Sequence, residues 1–321
     1  MKQPRAFITG IAGFAGSFLA EELLSHGYKV SGSVLGREST RHIKQILNNI
    51  ELVKLDVQKT NEVSRRIKKL KPDYVFHLAA FSSVGESFKY ENLTYKVNFE
   101  GTLNILNAVM ELKDPATLVY VSSADCYGRF KPDSKMLKEN QPFNPISPYA
   151  VSKTAAELLC RYFFTRHRLP VKIARSFNHT GPRQNENFVV SSFAKQIAQI
   201  EKEGIAPIIH VGDLTAQRDF SDVRDIVSGY RLLAEKGESG EAYHFSSGKA
   251  VSIKQILEML LKMSDKSIIV KTDSSRLRKN DIPCLKGDSK KAKTKFRFQP
   301  KFSLEETLKD TLNYWRETLK Q

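Results

Sequence analysis

Cysteine is scarce in this 321-residue chain: Cys126, Cys160 and Cys284 are its only three. They are widely spaced, with no CxxC or CxxH arrangement. That excludes a disulfide framework and a zinc site built on paired cysteines, and all three are read as structural thiols. No metal is expected. No apolar run approaches the roughly 20 residues that span a bilayer, and strand-like residues begin near Arg5, leaving no room for a cleavable leader. A cytosolic protein with no membrane partner is the expectation. Low-complexity tracts, fixed-period repeats and Gly/Pro-rich hinges are missing too, which removes fibrous, solenoid and disordered classes. What is present is ordinary for a globular chain: 40% apolar and 27% charged residues, over a length that suits two modest domains or one large α/β unit.

Negative charge is also in short supply. Lys and Arg number 51 against 35 Asp and Glu, a net +16, so an anionic partner is expected. The segment 265–301 alone carries twelve Lys/Arg and four Asp, half of the excess. No recognition helix, aromatic RNA-binding signature or zinc finger accompanies it, which argues against nucleic acid and leaves a phosphorylated small molecule.

The first half alternates short β-branched or aromatic runs, at 5–9, 28–34, 51–55, 74–78, 118–122 and 171–176, with amphipathic helical stretches. This pattern predicts a doubly wound parallel α/β sheet covered on both faces. Phe14, Phe18, Leu19, Leu23 and Leu24 share one face of the first helix, which Gly27 is placed to terminate. After Asn178 the alternation loosens into a loop-rich region, 178–188. A helix, a strand at 208–211, a helix at 223–235 and a strand at 243–246 follow, the last placed to rejoin the first sheet.

The chemistry-bearing motifs sit at the ends of these strands. Gly10, Gly13 and Gly16, with Phe14 and Ala15 between them, follow the first strand and open the first helix. Small residues there let the backbone turn sharply and approach a pyrophosphate at the positive helix end. Where an NAD-binding unit ends its second strand in a carboxylate, this chain has Val34, with Arg37 and Arg41 soon after. NADP(H) is therefore expected, although Glu38 is within reach of a ribose and NAD(H) stays open. Asp56 and Val57 are positioned to contact adenine, and Leu78, Ala79 and Ala80 present small side chains where a cofactor must lie against backbone. Tyr149 and Lys153 stand at i and i+4 on one predicted helix, with Ser123 at the end of a strand upstream. A phenol that titrates near 10 needs a neighbouring cation to act near neutrality.

Together, Gly10xxGly13xxGly16, Asp56-Val57, Leu78-Ala79-Ala80, Ser122-Ser123-Ala124-Asp125-Cys126-Tyr127-Gly128 and Tyr149xxxLys153 resemble the extended short-chain dehydrogenase/reductases that act on nucleotide sugars, over about 6–315. The resemblance implies a Rossmann-type sheet with a smaller C-terminal α/β substrate-binding domain, divided here as 1–177 with 219–247 and 178–218 with 248–321. It implies that Ser123 bonds the sugar C4 oxygen, that Tyr149 exchanges its proton, and that Lys153 holds the nicotinamide ribose and tunes the tyrosine. Asn98 would support the lysine through water. A homodimer through helices at 98–112 and 149–166 is also implied.

Further segments resemble those of GDP-sugar enzymes. Asn178 to Arg183, followed by Phe188 and Val189, is similar to the stretch wrapped around base and diphosphate. Arg218-Asp219-Phe220 resembles a diphosphate-clamping motif. Arg278 and Asp281, ahead of Gly287-Asp288, resemble an RPxDxPxxxGD segment, with Lys279 in place of the proline. Ser83 joins the substrate set. Asp125 separates the subclasses: a 4,6-dehydratase works with Glu two residues after the catalytic Ser/Thr, whereas Asp withdraws the carboxylate by about 1.3 Å, and misplacement on that scale can lower a rate about 10²-fold. Reduction of a C4 ketone needs no such group. The expected activity is NADPH-dependent reduction of GDP-4-keto-6-deoxy-D-mannose to GDP-D-rhamnose or its C4 epimer. A GDP-mannose 4,6-dehydratase, with Asp125 as its base, is the alternative, and a non-catalytic NADP-sensing protein is a third.

Overall fold

The computed structural model describes residues 3–36, 40–129, 136–203, 205–277 and 282–320. Its strands are β1 (Arg5–Thr9), β2 (Lys29–Val34), β3 (Ile50–Lys54), β4 (Tyr74–His77), β5 (Thr117–Ser123), β6 (Val171–Ser176), β7 (Asn178–Thr180), β8 (Ile208–Val211), β9 (Gln217–Asp222), β10 (Ala242–Phe245), β11 (Ala250–Ser252), β12 (Ile269–Thr272) and β13 (Cys284–Leu285). The helices are α1 (Phe14–Ser25), α2 (Thr60–Leu70), α3 (Val84–Ser87), α4 (Glu91–Tyr95), α5 (Gly101–Met110), α6 (Pro148–His167), α7 (Val189–Glu203), α8 (Val223–Lys236), α9 (Ile253–Leu261), α10 (Lys290–Phe296) and α11 (Leu304–Thr318).

Seven strands form one parallel sheet in the order β10-β6-β5-β4-β1-β2-β3. The chain order reverses between β1 and β4, the place where open α/β sheets gather ligands at their carboxyl ends. The two-residue period of a strand divides the core. Ala6 and Ile8 of β1 join one cluster with α1 and α8 residues such as Leu19, Val223 and Tyr230. Phe7, between them, points the other way, into a cluster with Ile105 of α5 and with Ala156 and Cys160 of α6. As expected, β10 returns to the edge of this sheet beside β6.

A second lobe packs α7, α9 and α11 around Phe193, Ile256, Leu312 and Trp315. Its strand β9 pairs with β7, β11 and β13. The loop expected at 178–188 in fact opens with β7, a three-residue strand too short to leave a pattern in the sequence. The helix expected from residue 98 begins as a π-helical segment, Lys96–Glu100, before α5. Gly27 follows α1 with φ +79°, as a helix terminator should.

Within the basic C-terminal stretch, Lys291 pairs with Glu241 at 2.6 Å, and Lys295 pairs with Glu238. Cys126 and Cys160 are buried, and burial pushes both thiols up, which keeps them inert. Among the described residues no helix is long and apolar enough to cross a membrane.

Candidate active site

A cleft of about 1690 Å³ opens at the carboxyl ends of the sheet strands and runs into the second lobe. It exceeds the ~300–1,000 Å³ of a site for one drug-sized ligand. Most of the residues singled out in the sequence line it: Gly10, Gly13, Phe14, Ala15 and Gly16; Asp56 and Val57; Leu78, Ala79 and Ala80; Ser83; Ser123, Asp125, Tyr149 and Lys153; Asn178, Phe188, Val189 and Arg218.

The glycine loop is shaped by close approach. Gly10 has φ +74°, and a Cβ there would stand 3.3 Å from Ala79 Cα. A Cβ on Gly16 would lie 2.2 Å from the Gly10 carbonyl oxygen, so only glycine lets α1 start this near the β1 end. The Gly10 amide donates to Ser33 Oγ at 3.1 Å. The result is a bare backbone cradle at a helix N-terminus, the form that binds a diphosphate. At the end of β2, Val34 is followed by Leu35, which lines the cleft; no carboxylate stands at either position.

Behind the loop lies a relay that the sequence reading missed. Thr9 Oγ1 accepts from the amides of Leu78 (3.1 Å) and Ala79 (3.0 Å), so its own proton goes to His77 Nδ1 at 2.8 Å. His77 Nε2–H then donates to Thr102 Oγ1 at 3.0 Å, and Thr102 donates to Asn98 O at 2.6 Å. Burial, reinforced by the Lys153 charge, pushes the imidazole down to about 3 and keeps it neutral. The one available signal was a histidine at a strand end, where a buried polar group needs partners.

On the opposite wall, Ser147 caps α6 by accepting from the Ala150 amide, and Pro148 sits in the first turn. This fixes where Tyr149 and Lys153 emerge. Lys153 is 4% exposed; its Nζ donates to Val121 O at 2.8 Å and lies 5.2 Å from the Tyr120 ring centre. Burial pushes its ammonium down to about 8. The half-buried Tyr149 phenol is raised by burial and by the nearby Asp125 carboxylate, partly countered by its hydrogen bond with Ser123.

Two expectations change. Arg183 does not line the cleft: with φ +72°, it donates to Ser17 Oγ at 3.2 Å, pairs with Glu21 at 2.8 Å and stacks on Phe18, all on α1. Asn98 also sits behind the wall, 2% exposed, accepting from the Phe81 amide at 2.7 Å and donating to Ser152 Oγ at 2.9 Å; its direct bonds support the Phe81 backbone and α6. Arg37, Arg278 and Asp281 lie outside the described residues. Arg276, two residues before Arg278, lines the cleft and donates to Ser192 Oγ at 3.3 Å. Arg218 is held by the carbonyl oxygens of Gln217 (2.9 Å) and Ile282 (2.6 Å).

With this arrangement established, comparison with known proteins is decisive. The family model described as GDP-mannose 4,6 dehydratase matches residues 7–311. The chain belongs to that family. The family's match covers the cradle, the Ser123–Tyr149–Lys153 cluster and most of the second lobe. Among curated relatives, GDP-6-deoxy-D-mannose reductase of Pseudomonas aeruginosa is 33% identical over 250 residues, 78% of this chain and 82% of that protein. GDP-mannose 4,6 dehydratase 1 of Arabidopsis thaliana is 31% identical over 325 residues, 95% of this chain and 87% of that protein. Among solved structures, RMD from Pseudomonas aeruginosa complexed with NADPH superposes with a TM-score of 0.86 at 29% identity, covering 98% of this chain and 100% of that one. The family is one of enzymes within the extended short-chain dehydrogenase/reductases, so a GDP-mannose 4,6-dehydratase fold with nucleotide-sugar dehydratase or reductase chemistry is the frame for this cleft.

Proposed function

We propose that this protein reduces the C4 ketone of GDP-4-keto-6-deoxy-D-mannose with NADPH, giving GDP-D-rhamnose or its C4 epimer. The observation that carries the reading is Asp125, a carboxylate one methylene shorter than dehydration calls for, lining the same cleft as Ser123, Tyr149 and Lys153. The reductase relative and the NADPH-bound neighbour support it.

The glycine cradle, which a Cβ on Gly16 would fill, fits a dinucleotide diphosphate. Gly10 and Gly13–Gly16 would hold it, with Asp56 and Val57 at the adenine and Leu78–Ala80 along the backbone. When bound, the reduced nicotinamide supplies a hydride. Ser123 would donate a hydrogen bond to the sugar C4 oxygen and stabilise charge developing there. Tyr149 would deliver its phenolic proton to that oxygen. Lys153, with one donor taken by Val121 O, would offer its others to ribose hydroxyls. Asn178, Phe188, Val189, Ser83, Arg218 and Arg276 would receive the GDP-sugar, the two guanidinium groups matching a diphosphate. Val34 and Leu35 at the ribose end favour NADPH over NADH, and the second lobe would serve as the substrate domain.

Val151, Leu158 and Tyr162 of α6, with Leu93 of α4 and Met110 of α5, are large apolar side chains left 38–54% exposed, and a second copy packed on these helices would cover them. We also propose a cytoplasmic setting.

The test is NADPH oxidation with the 4-keto sugar nucleotide, with NMR of the product. Formation of a 4-keto product from GDP-mannose without added reductant would instead make the enzyme a dehydratase, the reading that the dehydratase relatives favour.

A further inference from the structure

The face of β5 that sends Leu118 and Tyr120 toward α6 ends at Ser122, whose hydroxyl donates to Glu157 Oε2 at 2.8 Å. Glu157 is fully buried and Arg175 is 2% exposed. Arg175 lies directly across the ladder from Ser122. It grips both Glu157 oxygens, Nε reaching Oε2 at 2.9 Å and Nη2 reaching Oε1. Its Nη1 donates to Glu139 O at 2.7 Å and to the Tyr127 hydroxyl.

Bulk stability is a poor reason for an ion pair in this place. Desolvation of two charges offsets most of their attraction, and well-packed apolar side chains would fill the space at least as well. Location gives a better one. Tyr149, Lys153 and Glu157 stand at i, i+4 and i+8 on α6, one stripe of the helix. Ser122 adjoins Ser123 on β5, and Tyr127 closes the short helical turn, Ala124–Tyr127, that contains Asp125. One buried, bidentate and therefore directional contact ties the helix, the strand end and the turn together.

We propose that Glu157, clamped by Arg175, is a positioning residue that sets the spacing between the Ser123–Asp125 edge and the Tyr149–Lys153 face. The inference rests on the reading of Ser123, Tyr149 and Lys153 as the reacting groups. It goes beyond that reading in giving the proton-transfer geometry a buried source that never touches substrate.

The test compares Ser122→Ala, Glu157→Gln and the double variant Glu157→Gln/Arg175→Met, which removes the buried pair and leaves the half-exposed Arg161 that also reaches Glu157 Oε1 at 3.2 Å, with the wild-type enzyme. Reductase kcat and KM, NADPH affinity by fluorescence titration and thermal midpoints are measured, with rates taken at a temperature where circular dichroism shows each variant folded. Ser122→Ala is expected to lower kcat about 5- to 20-fold and Glu157→Gln about 100-fold, as displacements of up to about 1 Å at a reacting centre do, with KM and NADPH affinity within about twofold. The double variant is expected to regain the thermal midpoint without regaining kcat, which a purely structural role does not predict. Should Glu157→Gln fail to fold, Ser122→Ala and the double variant decide. Wild-type kcat in folded Ser122→Ala and in the double variant, while the wild-type enzyme turns over, overturns the positioning role alone. A wild-type enzyme inert toward both the 4-keto sugar nucleotide and GDP-mannose overturns the functional reading and this inference with it.

Discussion

Gly16→Ala isolates the part of the site that rests on backbone approach alone. The added Cβ would stand 2.2 Å from the Gly10 carbonyl oxygen and 3.0 Å from Ile11 Cα. Ordinary contact begins near 3.4 Å, so the gap must open by about 1.2 Å. The obstructing atom belongs to backbone that also accepts the Gly13 amide at 3.1 Å and has no rotamer through which to yield. The start of α1 must therefore move off the β1 end, at roughly 1–3 kcal/mol for overpacking. A shift of that size also spoils the aim of amides whose charge-assisted bonds to a diphosphate are worth about 1.5–3 kcal/mol each. Weakening one or two of them should reduce NADPH affinity roughly 10- to 100-fold, at 1.4 kcal/mol per decade. Fluorescence titration of NADPH, read beside a thermal melt, measures both effects. Gly27→Ala is the control: its φ is +79° and nothing lies within 4 Å of the new methyl, so it should lose about 1–2 kcal/mol to left-handed strain and leave NADPH affinity unchanged. Wild-type NADPH affinity in Gly16→Ala, or an equal loss in Gly27→Ala, would refute the cradle argument.

The other predictions follow from single groups. Tyr149→Phe should reduce kcat at least about 10³-fold, within the range of general acid–base contributions, with NADPH affinity nearly intact; substantial turnover would remove the phenol from the mechanism. Asp125→Asn should keep reductase kcat within about tenfold, since ketone reduction asks no work of the carboxylate, and a loss beyond about 10²-fold would favour dehydration chemistry. Arg183→Ala should lower the thermal midpoint and leave the sugar-nucleotide KM within about twofold, because the guanidinium is engaged by Ser17, Glu21 and Phe18; a KM rise of tenfold would return Arg183 to the substrate. Acid should destabilise the fold well before the carboxylates titrate: burial holds His77 and His244 down to about 3. Above pH 6.5 neither the folded nor the unfolded form protonates them, and the stability is complete. As the pH falls from 6.5 toward 3 the unfolded chain binds protons that the folded chain refuses, a loss of about 2 kcal/mol per histidine at pH 5. Urea midpoints at pH 7 and pH 5 measure it, and equal midpoints would contradict neutral burial.

Much of this architecture was legible because its causes are local. The glycine loop shapes backbone within seven residues. The β-branched runs at 5–9 and 171–176 became β1 and β6 with those bounds, since alternating burial on a doubly covered sheet leaves its mark on consecutive residues. The i,i+4 placement of Tyr149 and Lys153 needs only a helix. What escaped depends on partners far apart in the chain. Thr9 and His77 are 68 residues apart, Ser122 and Glu157 are 35 apart, and nothing in either neighbourhood announces the other. Arg183 misled for the same reason: its neighbours in sequence pointed to a ligand, while its guanidinium found Glu21 on α1.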